Sequence, residues 1–262
     1  MRLIQDLYQY RELLKSNIKK EIRGKYKGSF LGVIWSFVSP LLQVVVYAIV
    51  FPWLMQNAKI ENYLIYLVVG IIPWTFFTNV INQGVSSICY NAGIVKKVYF
   101  PREILPISVV ASGLINFLIS CVIILVFVIG YGYGISWHLL LLPFIALLQS
   151  LFSLGLVFAL SSINIYIKDT EYIIAFILNM LFYGTPILYD LSSFSAKVPT
   201  YLINLVKLNP LTHFIDAYRD IFMNHQVPEI SSMIMLTILS IVVFFIGYAI
   251  FKNLEKGFAE EI

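Results

Sequence analysis

Long uncharged, apolar segments alternate with short charged segments along this chain. No Lys, Arg, Asp or Glu occurs from Asn62 to Val95 or from Ile104 to Ile167. A helix that crosses the hydrocarbon core of a bilayer needs about 20 apolar residues. The pattern predicts six such helices, at residues 33–56, 63–84, 106–130, 138–163, 172–189 and 231–251. The fifth is short, and we expect Pro186 to kink or end it.

The composition supports a membrane protein. Of the 262 residues, 60% are hydrophobic and 12% are charged, whereas about 25% of the residues in a soluble domain are charged. We therefore predict an all-α integral membrane fold in a single transmembrane domain spanning 1–262. It comprises a cytoplasmic interface helix (1–30), a six-helix bundle (31–251) and a cytoplasmic tail (252–262).

The distribution of Lys and Arg predicts the orientation, because cytoplasmic loops are enriched in these residues. With six spans, fourteen Lys and Arg residues fall on the side that carries both termini, and four fall on the other side. Both termini are therefore expected in the cytoplasm, as is the charged segment between the second and third spans.

The N-terminal segment has a helical period of basic and apolar residues. Spacing by four keeps each set on one helical face, so a basic amphipathic helix at the membrane surface is expected. Its basic face could hold anionic lipid or dock a soluble partner, and the pattern does not separate these two interpretations. The two sets are Arg11, Lys15, Lys19, Arg23 and Lys27, and Tyr10, Leu14, Ile18, Ile22 and Tyr26.

The predicted spans contain essentially no ionisable groups. This disfavours a proton- or sodium-coupled carrier, although broken helices can bind sodium through backbone carbonyls alone. There is no glycine-rich phosphate loop, metalloprotease motif or nucleophile elbow, so we predict no catalytic and no metal site. Cys89 and Cys121 fit no metal or redox spacing. Asp169 and Glu171 fit an interface salt bridge or a helix start better than paired catalytic acids.

Residues 190–229 form the long loop on the outer side. Asn209 can cap a helix and Pro210 can take its first position. Two short amphipathic helices that dip into the outer leaflet fit this loop, either as a gate or as an interfacial cover. One face would carry Phe214, Tyr218, Ile221 and Phe222, and the other Asp216, Arg219 and Asp220; the candidate gate residues are Asn209, Pro210, Phe214 and Tyr218.

Aromatic residues are abundant, with 20 Phe, 17 Tyr and 4 Trp. Trp and Tyr concentrate at membrane–water interfaces, and Trp53, Trp74 and Trp137 lie near the expected outer boundaries of the spans. Their aromatic faces could equally stack on sugar rings.

The segment 96-KKVYFPREILP-106 is short, charged and bounded by two prolines. A simple positive-inside loop requires lysine but has no need for Phe100 to Glu103. Charged and aromatic residues together are typical of a protein interface, so docking is favoured. The candidate docking residues are Lys96, Lys97, Tyr99, Phe100, Pro101, Arg102 and Glu103.

Several motifs resemble the ABC-2 type permeases that export lipid-linked polysaccharides and polyol phosphates such as O-antigen, capsule and wall teichoic acid. The resemblance covers nearly the whole chain. The motifs are 25-KYKGSFLGVIWSFVSPLLQ-43, 70-GIIPWTFFTN-79, 97-KVYFPREILP-106, 164-NIYIKD-169, 185-TPILY-189 and Asn209-Pro210.

This resemblance implies a homodimer with two copies of a separate ATPase beneath it in a bacterial plasma membrane. ATP and Mg would bind that partner, and this chain would hold no cofactor. The segment 96–106 would couple to the ATPase, with the N-terminal helix beside it. Segment 190–229 would form re-entrant helices, and the pore would run between the subunits, lined partly by spans one and five with aromatics facing the glycan.

The expected partners are therefore the ATPase, a second copy of the chain, a lipid-linked polymer and membrane lipids, and no nucleic acid. The alternatives are an ABC-2 exporter of small molecules or drugs, an ion-coupled carrier, and a membrane enzyme acting on lipid-linked sugars. For an enzyme, Asp216 and Asp220 would be the residues to test.

Overall fold

A computed structural model describes residues 2–24, 35–54, 60, 62–191 and 199–261. The regular structure in those ranges is helical, and no strand occurs in them. In chain order the helices are α1 (Arg2–Gln9), α2 (Arg11–Gly24), α3 (Trp35–Leu54), α4 (Tyr63–Val85), α5 (Ala92–Val95), α6 (Ile104–Gly130), α7 (Leu142–Tyr166), α8 (Thr170–Tyr183), α9 (Thr200–Leu208), α10 (Pro210–Arg219), α11 (Ile230–Leu254) and α12 (Phe258–Glu261).

Among the described residues, four helices are long and apolar enough to cross a membrane. They are α4, α6, α7 with the 3₁₀ turn Trp137–Leu141 that precedes it, and α11 with the turn Glu255–Gly257 that follows it. Shorter apolar stretches, Val38–Val50 in α3 and Thr170–Tyr183 in α8, coincide with the predicted first and fifth spans. The membrane fold is confirmed at four of the six predicted spans.

Helix α4 is the centre of the bundle. It contacts α3, α6, α7, α8 and α10, and most of its side chains are buried. A helix that is apolar all round is typical of such a buried position. By contrast, α6 and α11 expose long rows of aliphatic side chains, as expected of helices that face lipid.

Helices α7 and α11 form the most extensive helix pair in the structure. Gly155 and Gly247 meet where the two backbones approach each other. A Cβ atom added to Gly247 would lie 1.8 Å from the carbonyl oxygen of Gly155. Small residues allow this close backbone contact, which is a common way for helices to pack in membranes.

The predicted fifth helix, at 172–189, is too long. In the structure α8 ends at Tyr183, and residues 184–190 are not helical. Pro186 lacks a backbone N–H, and it also disfavours the helical conformation of the residue before it. The helix therefore stops six residues earlier than its apolar sequence indicates.

Candidate functional site

The segment between α5 and α6 has an exposed tip. Lys96, Lys97, Val98 and Tyr99 are all exposed, and the Tyr99 side chain is 94% accessible. An aromatic ring that free on a short loop has no packing role in the described chain. Such a residue is a typical anchor for a protein partner.

The second half of the same segment packs against the protein, with Phe100 and Glu103 buried and Arg102 partly buried. Phe100 packs in a cluster with Phe251 and Phe258. The Nη1 atom of Arg102 donates to the carbonyl oxygen of Glu255 at 2.5 Å, and the guanidinium carbon lies 5.6 Å from the centre of the Phe258 ring. These contacts attach the loop to the end of α11 and to the tail that follows it.

Glu103 provides a third attachment to the same helix. Its side chain is 1% exposed and forms an ion pair with Lys252, which also pairs with Glu255 at 2.8 Å. A buried carboxylate is stable only when it is paired, because the bilayer and protein interior solvate charge poorly. The candidate docking residues therefore divide into an exposed tip and a packed anchor of Phe100, Arg102 and Glu103.

The N-terminal helix lies beside this anchor. The predicted basic residues Arg11, Lys15, Lys19 and Arg23 are all exposed. Lys27 lies outside the described residues. The chain forms two helices rather than one, with a break at Tyr10.

Contacts on the opposite face hold α2 in place. Helix α2 packs along α6, and Leu14 packs on the Phe100 cluster. Lys20 donates to the side-chain oxygen of Asn91 at 2.8 Å. On the exposed face, Lys15 lies 2.9 Å from Glu12 and holds the pKa of that carboxyl below its ordinary value.

Together these elements form one continuous face at one end of the bundle. A groove of about 860 Å³ runs between α1, the loop and the tail. It is lined by Asp6, Gln9, Tyr10, residues 95–103, Lys252, Glu255 and Lys256. Both basic and acidic groups line it, which suits a soluble partner of mixed charge better than a lipid surface of one sign.

The region around the predicted gate has a different construction. Asn209 caps α10 as predicted, because its Oδ1 accepts from the backbone N–H of Leu211 at 3.0 Å, and Pro210 is the first residue of the helix. Phe214 and Tyr218 are fully buried. They lie in the core, where the Tyr218 hydroxyl donates to the Oε1 of Gln149 at 2.8 Å.

The prediction for Arg219 was wrong. The sequence assigned it to a polar face with Asp216 and Asp220, but Arg219 is only 6% exposed. Its Nη2 donates to the carbonyl oxygen of Ile187 at 3.2 Å, its guanidinium carbon lies 3.6 Å from the centre of the Tyr66 ring, and its Nη1 lies 3.4 Å from Asp216. The guanidinium is thus enclosed between an aromatic face and irregular backbone.

Other side chains complete the hydrogen bonds of this irregular segment. Tyr63 donates to the carbonyl oxygen of Leu188 at 2.9 Å, and Tyr66 donates to that of Tyr189 at 2.8 Å. Non-helical backbone at membrane depth is tolerated only where protein or water satisfies it. Side chains from α4 and α10 provide that here.

The remaining candidates divide between the surface and the core. Trp137 is exposed, as expected of an interface anchor, but Trp74 is 5% exposed and packs against Phe77 and Phe182. Glu171 accepts from the Ser86 hydroxyl at 2.7 Å, so it makes an interface contact, although with a neutral partner.

Sequence reasoning missed the tail as part of the docking face. Lys252 and Glu255 follow the last apolar run, where a charged residue ordinarily marks only the end of a span. No local signal pointed to this contact, because Glu103 directly follows Arg102 in the sequence.

The described residues thus define an integral membrane protein with a candidate docking face at one end. Its helical bundle also contains an irregular segment whose backbone is held by side chains of other helices. Comparisons with known proteins specify the class. The model of the ABC-2 type transporter family matches residues 12–223, and the chain belongs to that family.

Relatives align over almost the whole chain. The O-antigen export system permease protein RfbA of Myxococcus xanthus is 35% identical over 262 residues, which is 100% of both chains. A protein of the same name from Klebsiella pneumoniae is 33% identical, covering 95% of this chain and 94% of its own. The polysialic acid transport protein KpsM of Escherichia coli is 24% identical, covering 91% and 92%.

Proposed function

We propose that this chain is the permease subunit of an ATP-driven exporter that moves a lipid-linked polysaccharide from the cytoplasmic to the outer side of the plasma membrane. The full-length similarity to an O-antigen export permease carries the proposal. A second relative transports polysialic acid, so the similarity spans two kinds of polysaccharide. A polysaccharide is therefore favoured over a small molecule as the substrate.

In the proposed topology α3 and α8 complete six spans. The N-terminal helices, the buried part of the segment between α4 and α6, and the tail contact one another, so they belong on the same side of the membrane. That side carries most of the Lys and Arg residues, which favours the cytoplasm. Helices α9 and α10 then form the re-entrant pair near the outer leaflet.

The proposed assembly has two copies of this chain and two copies of an ATPase. The outward face of α8 carries Tyr172, Phe176, Met180 and Tyr183, spaced by three or four residues and all exposed. Helix α3 exposes an aliphatic face that includes Leu42, Val46 and Ile49. A second copy against these faces would bury α3 and leave aromatic rings beside a path for sugars.

ATP and Mg would bind the partner, whose closure would push on Lys96 to Tyr99. Because Phe100, Arg102 and Glu103 join the loop to α11, the push would reach α11 directly. Helix α7 would move with α11, since their backbones are in contact at Gly155 and Gly247. The two subunits would then open a path for the polymer, while its lipid anchor stays in or beside the bilayer.

The test is co-purification with the ATPase and measurement of coupled ATP hydrolysis. Lys97→Glu and Tyr99→Ala change only exposed side chains, so both variants should keep their thermal stability and lose the ATPase. Arg102→Glu is a poorer test, because Arg102 also holds the tail. Lys168→Glu, an exposed charge on another loop of the same proposed side, is the matched control and should retain the partner. Full co-purification and coupled hydrolysis in the Lys97 and Tyr99 variants would exclude docking through the tip.

A further inference from the structure

A groove lies between α3, α4 and α6, separate from the docking face. Its volume is about 330 Å³, within the range of about 300–1,000 Å³ common for small-molecule sites. It is formed by the first turns of α3, the second half of α4 and the middle of α6, in the half of the bundle nearer the docking face. The residues that line it are Trp35, Ser39, Pro40, Ile72, Thr75, Phe76, Asn79, Val80, Gln83, Gly113, Asn116, Phe117 and Ser120.

One wall of the groove is polar although it belongs to apolar helices. Thr75, Asn79 and Gln83 recur every four residues on α4, and Asn116 and Ser120 face them from α6. Among the described residues, the amides of Asn79, Gln83 and Asn116 have no hydrogen-bond partner in the protein. Polar groups at membrane depth are costly when unpaired, so this arrangement indicates an occupant that supplies the hydrogen bonds.

The chemistry of the wall restricts that occupant. Each amide offers two donors and an acceptor oxygen, so the occupant must both accept and donate. Among the described residues, no Lys, Arg or His lines the groove to receive a phosphate, and no Asp or Glu lines it to receive a cation. Hydroxyl groups without charge match this set.

Aromatic residues also line the groove. Trp35 is 41% exposed, whereas Phe76 and Phe117 are nearly buried and stack on each other with ring centroids 4.9 Å apart. The C–H face of a sugar ring is apolar, while its edge carries hydroxyls. A ring placed in the groove would therefore lay one face on Trp35 and turn its hydroxyls to the amides.

We propose that this groove binds one neutral sugar unit of the exported polymer as it enters from the cytoplasmic side. The proposal rests on the proposed function and adds a place on the chain where the glycan is held. Water alone, a membrane lipid or a second copy of the chain are the competing occupants, and none of them gives a carbohydrate-positive adduct from the groove alone.

The direct test is photo-crosslinking in cells that make the polymer and express the full chain with its ATPase. A benzophenone amino acid replaces Asn116 in the groove, or Ile115, the exposed neighbour on α6 that does not line it. After illumination, the purified chain is separated by mass and stained for carbohydrate. We expect a carbohydrate-positive adduct from position 116 and none from position 115.

Three results would overturn the inference: equal labelling at both positions, an adduct of twice the chain mass without carbohydrate, or no carbohydrate adduct from a variant that still exports. Repeating the experiment at Gln83 guards against a local effect of the bulky probe. If the unmodified chain exports no polymer, the proposed function fails, and this inference fails with it. If export is normal but positions 116 and 83 are not labelled, the groove is not the sugar site, and the proposed function still stands.

A second measurement uses substitutions of similar size. Asn79→Leu combined with Gln83→Leu should slow export on the order of tenfold, as expected from the loss of two hydrogen bonds to the moving chain. Asn82→Leu is the matched control, since Asn82 lies on the same helix, is exposed and does not line the groove. Equal export by the double variant and the control, at equal abundance in the membrane, would contradict the sugar site.

Discussion

The ion pair between Glu103 and Lys252 should stabilise the attachment of the docking loop to α11. Replacing Lys252 with Met leaves the Glu103 carboxylate buried without a cation. Breaking a fully buried pair costs about 3–5 kcal/mol, but water reaches a lysine that is 40% exposed, so we expect a loss of about 2 kcal/mol. For a chain of this size, that loss corresponds to roughly 4–8 °C in the unfolding midpoint.

The informative variant adds Glu103→Gln to Lys252→Met. Glutamine keeps the shape of the side chain but removes the unpaired charge, so the double variant should recover much of the lost stability. The midpoints are measured on purified protein in detergent by following loss of the monodisperse peak after heating. Glu260→Gln, at an exposed carboxylate in α12, is the control and should leave the midpoint unchanged.

The outcome that refutes this reasoning is additivity. If the two changes act independently, their effects sum to within about 0.5 kcal/mol, and the double variant is no more stable than Lys252→Met alone. Glu103 would then have no energetic link to Lys252, and the loop would not be attached to α11 through this pair.

Two further predictions concern the bundle. Gly247→Ala should push α7 and α11 apart, because the new methyl group meets the backbone of Gly155. We expect the free energy of unfolding to fall by about 1–3 kcal/mol or more. Gly93→Ala has open space around it and should leave stability unchanged, and thermal unfolding of both variants tests this. Arg219→Met should destabilise the chain by about 2 kcal/mol, the cost of a lost charged hydrogen bond. Tyr66→Phe should lower the stability less, because the aromatic ring remains and only the hydroxyl is lost. If Tyr66→Phe lowered the unfolding midpoint more than Arg219→Met, the role given to Arg219 would be contradicted.

The spans and the amphipathic N-terminal helix follow from the sequence because their signals are local. An uninterrupted apolar run is enough to predict a span, and a repeat every four residues is enough to predict the amphipathic helix. The capping of α10 by Asn209 and Pro210 is equally local. Pro186 was recognised as a breaker, and only the position of the helix end was misjudged.

The burial of Arg219 and the anchoring of the docking loop depend on residues distant in sequence. Arg219 sits beside Asp216 and Asp220, so its local environment reads as a polar helix face. Its actual partners are Tyr66, more than a hundred positions away, and a backbone carbonyl of an irregular segment. The amides of the groove gave no signal either, since uncharged polar residues are common in membrane helices.

The irregular segment after α8 also has a consequence for synthesis. Tyr63 and Tyr66 precede it in the chain, but Arg219 follows Ile187 by about 30 residues. At roughly 5–20 residues per second, the ribosome takes about 2–6 s to make that stretch. During this interval the Ile187 carbonyl oxygen lacks the Arg219 guanidinium as its hydrogen-bond donor. Helix α8 therefore reaches the bilayer before the hydrogen bonds of the segment at its end are complete. Insertion of this protein therefore includes a step at which the bundle is incomplete until α10 has been made. A premature stop before Arg219 should give a chain that is inserted in the membrane but recognised as incompletely folded.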